Sequence, residues 1–139
     1  MAPKSIWLNL PVSDMATSKS FYRAIGLTEN ERHKENDQVG SFLVGEHKVV
    51  LMLFPTEVFA SFSGLPVEYP TAQTSTLLNL GMDNRAAVDQ IAAHARAAGG
   101  SVYLKPQLMQ DFMYVCGFTD PDGHRWSVLY MDRSAGEVD

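Results

Sequence analysis

The stretch WLNLPVSD at residues 7–14 is echoed by LLNLGMDN at residues 77–84, and each copy runs into a segment of helical character. In the first copy Ile6, Leu8 and Leu10 alternate with Trp7, Asn9 and Pro11, the period of two that gives a strand two differently occupied faces. Asp14 stands at an N-cap position, where its carboxylate can accept an otherwise unpaired N–H of the next turn. Ser18, Phe21, Tyr22 and Ile25 recur at helical spacing, and Gly26 supplies the stop. Strand-like runs follow at 28–34, 38–44 and 48–54, the last two joined by a GEH turn. The order is strand, helix, then three strands, a βαβββ module.

The second copy keeps that order. A strand over 74–81 leads to a helix capped near Asp83, with Val88, Ile91, Ala92 and Ala95 on one face and Gly99-Gly100 as the stop. Strands follow at 101–105, 112–119 and 124–131, the last pair joined by Asp120-Pro121-Asp122-Gly123, where proline presets φ and glycine tolerates a positive φ. Between the copies, residues 55–73 hold three prolines and the helix-like TEVFASF, the pattern of a connector. Module one therefore spans about 1–66 and module two about 67–139, within a single α+β domain. Three matching residues would be weak evidence; the repeated order of elements carries the argument.

Composition narrows the partners. The 139 residues are 45% hydrophobic, enough for a real core, with 11 Lys and Arg against 16 Asp and Glu. No basic cluster is present that would neutralise successive phosphates, which argues against nucleic acid. No apolar run approaches a membrane span and no leader pattern opens the chain, so a soluble, cytoplasmic protein is expected. A single cysteine, Cys116, leaves no internal disulfide and no Cys-rich zinc site.

Two βαβββ modules, with LPVSDMATSKSFYRAIGL opening the first and GFTDPDGHRWSVLYMD closing the second, resemble the glyoxalase, bleomycin-resistance and extradiol-dioxygenase superfamily, also called vicinal oxygen chelate proteins. NLPVSDMATSKSFYRAIGL, VVLMLFPTEVFASF and DFMYVCGFTDPDGHRWSVLYMD are more narrowly similar to bacterial proteins labelled predicted lactoylglutathione lyases. The resemblance implies paired half-barrels with helices outside, a concave site between the modules, and a homodimer built on edge strands or shared modules. It also implies metal ligands, usually His, Glu or Gln, on the first and last strand of each module. Those positions fall on Trp7, Met52, Leu77 and Ser127, where the narrower group commonly has glutamate in place of the serine. An indole, a thioether, an isobutyl group and a neutral hydroxyl do not hold Zn²⁺, Ni²⁺ or Fe²⁺. No metal and no cofactor is therefore expected, a divalent metal being the alternative.

Strand alternation sorts the remaining candidates. Trp7, Asn9, Met52, Phe54, Leu77, Asn79, Met113, Ser127 and Leu129 are expected to line the concave surface, while Ile6, Leu8, Leu10, Trp126, Val128 and Tyr130 pack under helices. Asn9 and Asn79 offer amides that orient a polar group or tie the modules together. The apolar lining suits a flat or irregular guest, and also suits simple filling of the space. Cys116 lacks an evident positive neighbour and reads as inert, with His124 its one speculative partner above a rim. His33, His47 and His94 read as surface residues, Glu57 and Glu68 as solvated, and Tyr103, Tyr114 and Arg125 as rim or packing groups.

Two functions follow. One is a metal-free binder of a small, partly aromatic molecule, similar to bleomycin-resistance sequestration. A formal charge of −5 favours a cationic guest at long range. The other is a lactoylglutathione lyase-like metal-dependent lyase or isomerase. A metal-free enzyme using Cys116, His124 or Tyr114 has no positive support in the sequence.

Overall fold

The computed structural model describes residues 1–131; residues 132–139, which the sequence reading assigns to the second module, lie outside the described residues. The chain divides into two compact units, one running from Met1 to Glu68 and the other beginning at Tyr69.

In the first unit β1 (Trp7–Val12) leads to α1 (Met15–Ala24), then β2 (Thr28–Glu29), β3 (Gly40–Val44), β4 (Val49–Pro55) and α2 (Thr56–Ser63). Asp14 caps α1 by accepting the Thr17 N–H at 2.9 Å, which holds its carboxyl below the usual carboxylate range. The chain leaves α1 through Gly26 at φ 100°, with the Leu27 N–H donating to the Tyr22 carbonyl. Four strands form one sheet in the order β1-β4-β3-β2, with β1 parallel to β4 and the other pairs antiparallel.

The second unit repeats the plan with β5 (Leu78–Gly81), α3 (Arg85–Ala97), β6 (Ser101–Met109), β7 (Met113–Thr119) and β8 (Arg125–Met131), in the order β5-β8-β7-β6. Its helix also ends on a glycine in the left-handed region, Gly99 at φ 100°. Correspondence extends to register: Asn9 pairs with Met52 as Asn79 pairs with Ser127, and Leu10 with Leu53 as Leu80 with Val128.

Each unit has its own apolar layer between helix and sheet. Phe21, Tyr22, Phe42, Leu51 and Leu53 are fully buried in the first, and Val88, Ala95, Phe118 and Val128 in the second. Each such side chain contributes roughly 1.5–3 kcal/mol, with alanine well below that range. The expected helix faces are these: Ser18, Phe21, Tyr22 and Ile25 on α1, and Val88, Ile91, Ala92 and Ala95 on α3, are all buried.

Several boundaries differ from the sequence reading. The run 28–34 is strand only at Thr28–Glu29, because the Asn30 side chain accepts the Arg32 N–H at 3.2 Å and starts a 3-10 turn over Glu31–His33. Lys19, buried at 6% exposure, fixes that turn from below, its ammonium donating to the carbonyls of His33, Lys34 and Asn36. Residues 74–77 are not strand: the Thr74 hydroxyl bonds the Thr76 carbonyl and N–H at 2.8 and 3.3 Å, a local arrangement that competes with sheet pairing. The cap of α3 is Asn84, which accepts the Ala87 N–H at 2.8 Å, rather than its neighbour Asp83. Ile6 precedes β1 and stays 63% exposed instead of packing under α1.

Candidate functional site

A sheet face is defined by which side chains meet the helix. In the first sheet the Phe42 ring lies 5.8 Å from Tyr22 of α1, so Leu51 and Leu8, its partners across the strands, share that face. Trp7, Asn9, Val50, Met52 and Phe54 therefore lie on the face turned away from α1, together with Ser41, the partner of Met52. Ser41 is buried and its hydroxyl meets the Asn30 amide at 3.3 Å. Phe54 makes an edge contact with Phe62 of α2 at 5.1 Å.

In the second sheet Cys116 faces α3, its Sγ 3.8 Å from the Val88 carbonyl. Phe118 and Trp126 share that side and stack at 6.2 Å with an interplanar angle of 6°. Asn79, Met113, Val115, Gly117, Arg125, Ser127, Leu129 and Met131 fall on the helix-free face. Leu77 does not join them in the sheet: it stands one residue before β5 and is 57% exposed.

The sequence places Arg125 on the concave side and favours rim or packing duty for both Tyr103 and Arg125 over a hydroxyl or a cation offered to a ligand; in the structure the two are in contact with one another. Val102 pairs with Phe118 and Leu104 with Gly117, so Tyr103 is the extra residue of a β-bulge, a device that re-aims a side chain. Its ring is swung over Gly117, and its hydroxyl donates to the Trp126 carbonyl at 3.0 Å. Burial pushes the Tyr103 hydroxyl above the ordinary phenol range. The Arg125 guanidinium carbon lies 4.2 Å from the ring centroid.

A family model of the Glyoxalase/Bleomycin resistance protein/Dioxygenase superfamily matches residues 4–128. The chain belongs to this superfamily. Among solved structures it is similar to a hypothetical protein from S. aureus, at 27% identity and TM-score 0.81 over 94% of this chain and 95% of that one. A glyoxalase-related enzyme from Fulvimarina pelagi superposes with TM-score 0.79 at 18% identity, covering 99% and 98% of the two chains. A lactoylglutathione lyase from Agrobacterium tumefaciens gives TM-score 0.62 at 21% identity, covering 94% and 96%. The last two likenesses show the glyoxalase fold alone. A search of curated proteins finds no match.

The metal that glyoxalase-superfamily resemblance implies does not fit the donors present. Trp7, Met52 and Ser127 stand on the sheet faces turned away from α1 and α3 with an indole, a thioether and a hydroxyl, and Leu77 contributes only an alkyl group. Among the described residues no three His, Cys, Asp or Glu side chains gather as a ligand set. His47 is in the turn between β3 and β4, and His94 is on the exposed side of α3.

The alternative nucleophile set fares no better. His124 is 8% exposed, with its ring 6.0 Å from Tyr69. Tyr114 lies on the α3 side and donates to Asp89 at 2.7 Å, which raises its pKa. Cys116 is fully buried, and burial first, then the Asp89 charge, pushes its thiol up to about 11. Roughly one thiol in 3,000 is then ionised at pH 7.5. A disulfide reagent at that pH should label native protein at least ~100-fold more slowly than urea-unfolded protein. Stoichiometric labelling at the unfolded rate would contradict this placement.

Proposed function

We propose that this glyoxalase-fold chain is a metal-free binder of a small, partly aromatic molecule, a role that the bleomycin-resistance part of its family name accommodates. The observation that supports it is the chemistry of the sheet positions turned away from α1 and α3: Trp7, Met52, Phe54, Met113 and Leu129 offer aromatic, thioether and alkyl surface, while Asn9, Asn79 and Ser127 offer neutral hydrogen-bonding groups. Thioether and aromatic surface adapts to irregular guests. The lyase reading requires an ion to polarise a carbonyl and a base to move a proton, and these positions provide ligands for neither. As part of the same proposal, the protein acts in the cytoplasm as a homodimer. No helix among the described residues is long and apolar enough to cross a membrane.

Metal analysis of protein purified without chelator, followed by thermal-shift screening of planar aromatic compounds, tests the reading. Zinc, nickel and iron are expected far below one ion per chain, with EDTA leaving Tm unchanged. A binding compound at about 100 times its Kd should stabilise by about 2.7 kcal/mol, a rise of several degrees. Stoichiometric, EDTA-labile metal would overturn the metal-free reading.

A further inference from the structure

We propose that Arg125 anchors a carboxylate on the helix-free face of the second sheet, so that the guest is an organic acid with an apolar body. This rests on the binding role above and specifies its ligand class. The anchor is built before any ligand arrives. A Cβ on Gly117 would stand 2.3 Å from Tyr103 Cζ, so only glycine there lets the ring settle, and the Tyr103–Trp126 hydrogen bond at 3.0 Å fixes its far end. The guanidinium rests 4.2 Å above that ring and hydrogen-bonds the Tyr103 hydroxyl, two contacts that hold it in position without neutralising its charge.

Among the described residues no carboxylate is within ion-pair distance of Arg125, unlike Arg23, which pairs with Glu29 at 2.7 Å. The strand neighbours of Arg125 on this face are neutral hydrogen-bonding groups. Thr119 is the strand partner of Arg125, and Ser127, two residues further along the same face, is the partner of Asn79. Beyond them the face turns apolar at Val115, Leu129, Met113 and Met131. One cation flanked by neutral donors suits a monoanion, for which a guanidinium offers a bidentate match; a phosphate dianion would leave charge uncompensated. The chain's net charge of −5 pulls the other way, towards cations. That pull is spread over the surface and screened beyond about 8 Å at physiological salt, whereas Arg125 acts at contact.

Isothermal titration of the full-length protein with 2-naphthoate, 2-naphthamide, 2-naphthylmethylammonium and 2-naphthyl phosphate provides the test. Naphthoate is expected to bind at least about tenfold more tightly than the amide, with the phosphate intermediate and the ammonium weakest. Arg125→Gln should erase the preference for the acid, bringing acid and amide affinities within about twofold of one another, and Arg125→Lys should keep part of it. Near-UV circular dichroism checks that both variants remain folded. Equal affinity for acid and amide, tightest binding of the ammonium or the phosphate, or an undiminished preference in Arg125→Gln would overturn the carboxylate anchor and leave the binding role standing. Absence of binding by all four probes would overturn both.

Discussion

Replacing Trp126 with alanine is expected to remove about 3–5 kcal/mol of stability, the range for emptying a buried aromatic site. The side chain is 2% exposed and stacked on Phe118, so the neighbours cannot close the space without giving up contacts of their own. For a protein of this length the loss corresponds to a fall in Tm of roughly 10–20 °C. Trp126→Phe keeps a ring against Phe118 and should cost well under half as much. Thermal unfolding followed by circular dichroism reads both. A fall of less than a few degrees for the alanine variant would mean that the Phe118–Trp126 stack is not part of the second unit's core.

Gly117→Ala is expected to cost about 1–3 kcal/mol although it adds one methyl group. That methyl cannot coexist with Tyr103 in its present place, 2.3 Å from Cζ and 2.6 Å from the hydroxyl oxygen. The ring must leave, losing its bond to the Trp126 carbonyl and withdrawing the surface on which Arg125 rests. A double-mutant cycle separates this clash from any general intolerance of alanine. Tyr103→Ala removes the obstacle, so Gly117→Ala should cost little in that background, giving a coupling of about 1 kcal/mol or more. Strict additivity, or a single variant as stable as the parent, would show that the ring does not occupy the space above Gly117.

The repeat and its face assignments were legible because they depend on local pattern. Alternation through WLNL and LLNL fixes which side chains oppose the helix, and a one-residue slip would turn every one of them over, so a single buried face specifies register strongly. Asn9 and Asn79, Met52 and Ser127, and Leu129 and Met113 all fall on the sheet faces turned away from α1 and α3, the side that alternation assigns them. What escaped reading depends on partners distant in sequence. Nothing in SVYLKPQLM announces that Tyr103 is the odd residue of a bulge; that is set by pairing with β7, and with it the ring's position over Gly117. Lys19 shows the same limit, since a lysine on an amphipathic helix reads as solvated until the carbonyls of the 33–36 segment are seen around its ammonium. Asn84 and Asp83 are adjacent residues of similar capping preference, and only backbone geometry chooses between them.

The matched registers carry one more consequence. Ser41 and Gly117 hold equivalent stations in the two sheets, as do Val50 and Arg125, yet each pair has diverged completely in chemistry while the hydrogen-bonded ladder beneath it is unchanged. Framework and surface chemistry are thus separable in this fold: substitutions on either sheet face can change what that face displays without redrawing the ladder beneath it.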